Sequence, residues 1–324
     1  MNTRRNVLAG MGLVLAAPAL AAEPGPTPGV AANLRARTLT EFTLTSKEGR
    51  AYLIHVSAPA GPPPPGGLPV IYVLDGHAWF GPAVEIARMR ENSKLDPAVI
   101  VGVGYPSRRF FDGSRSLDFT PPGAPDDRFE PESLGGADRF LAFLTGTLQP
   151  RIAADHTINR HRETLFGHSL GGLFTLYALF ADPRAFDTWL AASPSMGFGD
   201  RFIMGAAERF RLPAGVRPNL LVTMGQYESQ SVEDQPLAQK EDFRRWYEAH
   251  PEARPGLTAD QAVDETFPPP DPGFDRVEGA RAMTRTLAAA GVRAVFVEFE
   301  GEEHSSAAIS ALNRGVPFAL RPAR

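Results

Sequence analysis

The sequence predicts an α/β fold: a mostly parallel central sheet, opened by an antiparallel hairpin and covered by helices on both faces. Three observations predict it. Continuous apolar runs at residues 68–74 and 98–103 read as strands buried on both sides. Stretches of helical spacing separate such runs, so strands and helices alternate along the chain. A serine turn, Gly167-His168-Ser169-Leu170-Gly171, joins an apolar run to a helix-like one.

Each element follows in order. Residues 39–44 and 51–56 alternate apolar and polar side chains and read as a half-buried hairpin, with His55 facing outward or packing. A Pro-rich loop at 61–67 leads to the strand 68–74, which ends at Asp75-Gly76-His77. A short helix is expected over 82–90, the next strand over 98–103, and a long polar exit over 104–125. Phe140, Leu144, Leu148 and Ile152 recur at helical spacing and predict a helix over 136–154. After the serine turn and its helix come strands at 186–192 and 219–224. The polar stretch 226–275, with a Pro run at 267–272, reads as a cap-like insertion, because nothing in it builds a core of its own. Val277, Ala280, Met283 and Leu287 form a helical stripe closed by Gly291. The last strand covers 294–299, and a final helix starts at Ser305.

The first 22 residues read as a signal peptide. Thr3-Arg4-Arg5-Asn6-Val7-Leu8 has the twin-arginine form, an apolar run follows, and Ala19-Leu20-Ala21 supplies small residues for cleavage. The run is short and contains Pro18, which favours a cleaved signal over a stable membrane anchor. Residues 23–38 read as a linker and 39–324 as one domain. A periplasmic or secreted location is therefore expected. Lys and Arg total 33 against 37 Asp and Glu, a net charge of −4, and nothing in that balance suggests a nucleic-acid partner. The absence of cysteine excludes disulfides, thiolate metal sites and a cysteine nucleophile.

The chemistry gathers where predicted strands end, the edge at which sheets of this type carry their reactive groups. Ser169 sits on a strand-to-helix turn that would thrust its hydroxyl outward. A serine needs a base to take its proton as it attacks, and His304, after the last strand, is the best placed imidazole. His168 adjoins Ser169 but should point away from it and be structural. A carboxylate after the strand 219–224 would orient the imidazole. Glu228 is the first available; Asp234, Glu241 and Asp242 are alternatives, as is a Ser–His dyad with no acid. An oxyanion hole would draw one N–H from Leu170 and another from Gly76 or His77.

A resemblance rests on five motifs in order: Tyr72-Val73-Leu74-Asp75-Gly76, Gly102-Val103-Gly104-Tyr105-Pro106, Arg115-Ser116-Leu117-Asp118-Phe119-Thr120-Pro121, Gly167-His168-Ser169-Leu170-Gly171-Gly172 and Gly301-Glu302-Glu303-His304. Together they resemble the esterase family of α/β-hydrolases that contains enterobactin-type siderophore esterases, nearest in pattern to the periplasmic trilactone hydrolases. The resemblance implies the α/β-hydrolase fold and cleavage of ester or lactone bonds, with Ser169 as nucleophile and His304 as base. It also implies that Arg115 and Tyr105 border the substrate pocket, Arg115 holding an anionic or catecholate oxygen. The bland alternative pairs Arg115 with Asp118. Phe110, Phe111 and Phe119 would form an apolar wall or simply pack the loop.

The expectation is an exported serine esterase that works through an acyl-enzyme without metal or cofactor. Its partner would be a small-molecule ester, a ferric siderophore being the specific candidate. A general carboxylesterase for short acyl or aryl esters is the first alternative, and a non-catalytic ligand-binding protein on the same fold is the second. Oligomeric state is not encoded in any visible pattern.

Overall fold

The computed structural model describes residues 37–91, 95–107, 109–229, 236–250, 258–266 and 273–321. The expected signal peptide, all of the expected linker before Arg37 and the Pro run at 267–272 lie outside the described residues.

Eight strands form one sheet: β1 (Arg37–Thr45), β2 (Ala51–Pro59), β3 (Leu68–Leu74), β4 (Val99–Gly104), β5 (Ile158–His168), β6 (Thr188–Ala192), β7 (Asn219–Gly225) and β8 (Arg293–Phe299). Their order is β1-β2-β4-β3-β5-β6-β7-β8. The hairpin β1–β2 and the β2–β4 pair are antiparallel, and every later pair is parallel. This is the mostly parallel sheet with an antiparallel start that the sequence predicts. Parallel neighbours need crossovers, and the helices that supply them cover both faces.

Side-chain alternation divides the core in two. Tyr72, Leu165, Trp189 and Val222 face one layer, packed with the helices Leu170–Ala181 and Arg276–Ala289. Ile71, Val73, Phe166, Leu190 and Leu221 face the other, against the helices Gly76–Glu91 and Ser306–Leu320. Every residue of β3 is buried, which explains its unbroken apolar run, whereas edge strand β1 is largely exposed. Each large apolar side chain fully buried here contributes roughly 1.5–3 kcal/mol relative to exposure.

The structure departs from the expected elements in four places. The helix expected at 82–90 begins at Gly76 and carries Pro82 inside it, so the proline does not mark its start. The helix expected over 136–154 runs as Ala137–Phe143, a π-helical turn Leu144–Leu148, and Gln149–Asp155. Pro150 has no N–H to continue the hydrogen-bond ladder, and the π-helical turn lies immediately before it. A helix at Phe198–Arg209 follows β6, beginning with left-handed backbone at Gly199, Asp200 and Arg201. The polar exit after β4 contains the short helix Arg115–Phe119, and the stretch 226–275 contains the helices Pro236–Ala249 and Ala259–Thr266.

Register places the site. Val73 pairs with Phe166, His168 with Ala192, and Gly225 with Phe299, so the carboxyl ends of β3, β5, β6, β7 and β8 reach one edge together. Among the described residues no helix is long and apolar enough to cross a membrane.

Candidate active site

β5 ends in a forced turn. Ser169 has φ 61° and ψ −119°, a left-handed backbone that a non-glycine residue adopts only under constraint. The constraint is visible on both sides: Ser169 N donates to Ala192 O at 3.0 Å, and Ser195 N donates to Ser169 O at 3.1 Å. Gly167 is required beneath the turn, because a Cβ there would lie 2.0 Å from the Gly171 carbonyl oxygen. The helix Leu170–Ala181 starts immediately after the serine.

Three side chains from three strand ends meet in a relay. Ser169 Oγ lies 3.0 Å from His304 Nε2, and His304 Nδ1 lies 2.6 Å from Glu228 Oε2. The other carboxylate oxygen, Glu228 Oε1, accepts from Ser193 Oγ at 2.6 Å and from Gly225 N at 2.8 Å. Burial alone would raise the Glu228 carboxyl. The donors from His304, Ser193 and Gly225 outweigh it and hold the group below its ordinary range. Glu228 is thus an anchored anion, whereas the His304 side chain remains 42 % exposed.

Glu228 and His304 are also tied through the backbone. The short turn Gln226–Glu228 folds the carboxylate back over Gly225. Tyr227 N donates to Glu302 O at 3.0 Å, and Gly301 N donates to Gln226 Oε1 at 2.9 Å. On the other side His168 Nε2 lies 2.8 Å from the His304 carbonyl. Burial is the main cause that drives the His168 imidazole down to about 3, so it stays neutral near physiological pH and Nε2 carries the donated proton. His168 therefore holds the loop of His304, in keeping with a structural role.

Two helix starts lie beside the serine. Leu170 opens one helix and Gly76 the other, and the first N–H groups of a helix have no acceptor within it. Asp75 O takes the N–H groups of Ala78 at 2.9 Å and Trp79 at 3.1 Å, which leaves those of Gly76 and His77 at the start of the turn. A Cβ on Gly171 would sit 3.6 Å from both Leu74 Cβ and the Asp75 carboxylate, so the two turns pack side by side.

The structure brings Ser169, His304, Glu228, Leu170 and Gly76 to one edge. His77 is half-buried there, and its ring donates from Nε2 to Tyr105 O at 2.9 Å. Tyr105 is buried, with its hydroxyl on Asp118 at 2.9 Å, so it stands behind the edge. Arg115 does not pair with Asp118, whose partner is Arg50. Its Nε and Nη2 instead donate to the two oxygens of Asp75, both at 2.8 Å. Asp234 lies outside the described residues, and Glu241 and Asp242 sit exposed on the helix Pro236–Ala249. Two contributors escaped sequence reasoning: Ser193, at the end of β6, and the Asp75 carboxylate. Their strand-end positions were the available signal, but a small polar residue at a strand end is common. Among the described residues no group of three or more His, Asp or Glu side chains is arranged to hold a metal ion.

The model of the "Putative esterase" family matches residues 46–316 of the chain. The chain belongs to this family. The ferri-bacillibactin esterase BesA of Bacillus subtilis is 35% identical to this family member over 299 residues, covering 87% of the chain and 90% of the relative. The siderophore triacetylfusarinine C esterase of Aspergillus fumigatus is 32% identical over 290 residues, covering 85% and 91%. Among solved structures, the siderophore hydrolase EstA from Aspergillus nidulans superposes with a TM-score of 0.68 at 29% identity, over 92% of this chain and 98% of that one.

Proposed function

We propose that the protein is an exported serine esterase that cleaves siderophore ester or lactone bonds through an acyl-enzyme. The observation that carries the chemistry is the unbroken relay from Ser169 Oγ through His304 to Glu228. Membership of the esterase family and relatives named as siderophore esterases support the substrate class. The twin-arginine pattern at the N-terminus supports export to the periplasm or beyond.

In this reading His304 Nε2 accepts the Ser169 proton as Oγ attacks the ester carbonyl carbon. Glu228 holds Nδ1–H, fixes the tautomer and stabilises the imidazolium that forms. Negative charge on the carbonyl oxygen falls between the N–H groups of Leu170 and Gly76 or His77, at two helix starts whose dipoles favour it. The tetrahedral centre then collapses, the carbon–alkoxide bond breaks, and His304 returns its proton to the leaving alkoxide. Water, deprotonated by the same imidazole, attacks the acyl carbon and releases the acid and Ser169.

The test compares purified wild type and Ser169→Ala on iron-free and ferric trilactone siderophores and on short p-nitrophenyl esters. Intact-mass measurement on quenched wild type detects the acyl adduct. Siderophore hydrolysis lost in Ser169→Ala is the expected result. Turnover of simple esters alone would overturn the siderophore assignment in favour of a general carboxylesterase. A folded wild type with no turnover on any ester would leave a ligand-binding protein. Fusing residues 1–22 to a twin-arginine-dependent reporter tests export separately.

A further inference from the structure

The sheet ends in two edge strands that differ in kind. β1 is the first strand in the order and β8 the last, so among the described residues each pairs on one side only. β1 carries the exposed Glu41 at its centre. Two copies joined there about the middle of the strand would set carboxylate against carboxylate, a guard against edge-to-edge association. The middle of β8 has no such guard. Ala294-Val295-Phe296-Val297 lies between Arg293 and Glu298 with no lysine, proline or bulge. Val295 is 42 % exposed, although β7 beside it is buried almost throughout. The helix Arg276–Ala289 covers one face of β8, where Phe296 packs on the core beneath Arg281. The helix Ser306–Leu320 lies chiefly over β6 and β7, which leaves Val295 open on the other face.

Backbone direction decides what can pair at this edge. Arg293 N donates to Pro218 O at 3.1 Å, so the odd-numbered peptide groups of β8 face β7. Those of Ala294, Phe296 and Glu298 face away from the sheet. Ala294 N is taken by Val292 O at 2.9 Å, while the N–H groups of Phe296 and Glu298 and all three carbonyls look outward. A two-fold axis perpendicular to the sheet keeps like faces together, so it can oppose only residues of equal parity. Centred on Phe296, it sets Phe296 against Phe296, Glu298 against Ala294, Val295 against Val297 and Arg293 against Phe299. Phe296 N–H then meets Phe296 O and Glu298 N–H meets Ala294 O, each bond made twice by symmetry. Centred on Glu298, it would press two carboxylates together; centred on Ala294, it would leave Glu298 and Phe299 without a strand opposite. Charge favours the same antiparallel sense. β8 begins at Arg293 and runs out through Glu298 and the exposed Glu300, so each basic start lies beside an acidic end. Arg281 brings no unpaired charge, because it already holds Glu278 and Glu298.

We propose that β8 is a homodimer interface, at which two copies of this chain join antiparallel about Phe296 and continue one sheet into the other. The proposal does not depend on the esterase reading. The two strands run in opposite directions, so the edges that carry Ser169 point opposite ways and each copy keeps its whole site.

Sedimentation velocity of the purified chain over a wide range of concentration tests it. The expected result is a reversible dimer in wild type, with the dissociation constant raised roughly tenfold or more in Val295→Lys, which sets an edge lysine against Val297. Val295 is exposed, so this variant leaves the core closed, and thermal unfolding verifies that it folds. Arg293→Glu and Glu300→Arg, also at exposed positions, should each weaken the dimer by bringing like charges together at both ends of the strand pair. Mixing these two variants restores opposite charges at both ends and should restore association. Hydrogen exchange should find the amides of Phe296 and Glu298 protected at high concentration and open at low. A wild type that stays monomeric throughout would overturn the proposal. So would a dimer that Val295→Lys leaves intact, or one in which exchange over 294–298 is independent of concentration. If each charge variant dissociates and their mixture does not recover, the antiparallel register is wrong and the proposal falls with it.

Discussion

Replacing Glu228 by glutamine changes one oxygen to an NH2 group, and the surrounding donors decide where that group must go. Oε1 accepts from Ser193 Oγ and from Gly225 N, and the second of these is a backbone donor that cannot turn away. The glutamine oxygen is therefore held in that position, and its NH2 group faces His304 Nδ1 in place of the carboxylate oxygen now at 2.6 Å. An NH2 donor there can only meet an unprotonated Nδ1. The imidazole proton moves to Nε2, which then points an N–H at Ser169 Oγ, 3.0 Å away, and can no longer accept its proton. The base is lost by tautomer, with no steric change. A drop in kcat of about 10³–10⁴-fold follows, equivalent to about 4–5.5 kcal/mol of barrier, with KM little altered. Glu228→Ala should lose less, because a water in the vacated space lets either tautomer form. Steady-state kinetics of wild type, Glu228→Gln and Glu228→Ala on p-nitrophenyl acetate at pH 8, with circular dichroism to verify folding, measure the order. Retention of activity within about tenfold in Glu228→Gln would refute the reasoning and leave a Ser–His dyad.

Three further outcomes are expected. Ser193→Ala removes one of the donors that hold the Glu228 carboxyl low; kcat should fall about three- to tenfold, and the acid limb of the pH–rate profile should move upward because protonation of Glu228 begins at higher pH. Burial pushes the Glu163 carboxyl up to about 7 from 4.5, outweighing the hydrogen bond from Tyr72 and the nearby Arg160. The folded chain then holds its proton more tightly than the unfolded chain, so this contribution to stability is full below 4.5 and is lost as pH rises through 7. Glu163→Gln should thus gain on the order of 1 kcal/mol over wild type at pH 8, about 2–3 °C in Tm, and almost nothing at pH 4.5, as differential scanning fluorimetry would measure. Gly167→Ala drives a Cβ into the Gly171 carbonyl oxygen and should cost about 4 kcal/mol or more, seen as loss of soluble protein or a collapse in Tm.

What the sequence made legible follows the physics of local patterns. The strand Leu68–Leu74 was readable because both its faces are buried and its seven residues are all apolar or proline. The meeting of Ser169 with His304 was readable because a tight turn restricts its own sequence and because chain order constrains which strand end can face it. Pro82 was misread since a proline inside a helix looks like a helix start. Glu228 was one of four eligible carboxylates, and what distinguishes it is a short turn that aims it at Gly225 N, a geometry that no spacing encodes. The grip of Arg115 on Asp75 is similarly invisible, because a contact across 40 residues leaves no periodic trace and Asp118, three positions away, offered a nearer partner.

The attachment of the acid has a bearing on how this chain can be rebuilt. The turn carrying Glu228 is stapled directly to the loop of His304 through Tyr227, Gln226, Gly301 and Glu302. Immediately beyond it Ser229 Oγ donates to Asp275, the residue that caps the helix Arg276–Ala289. Glu228 and His304 are thereby mounted on one hydrogen-bonded bracket, and the contact between Ser229 and Asp275 forms a clasp outside it. The clasp brings the two ends of the intervening segment together, so segments of other lengths joined between Ser229 and Asp275 should leave the Glu228–His304 hydrogen bond in register.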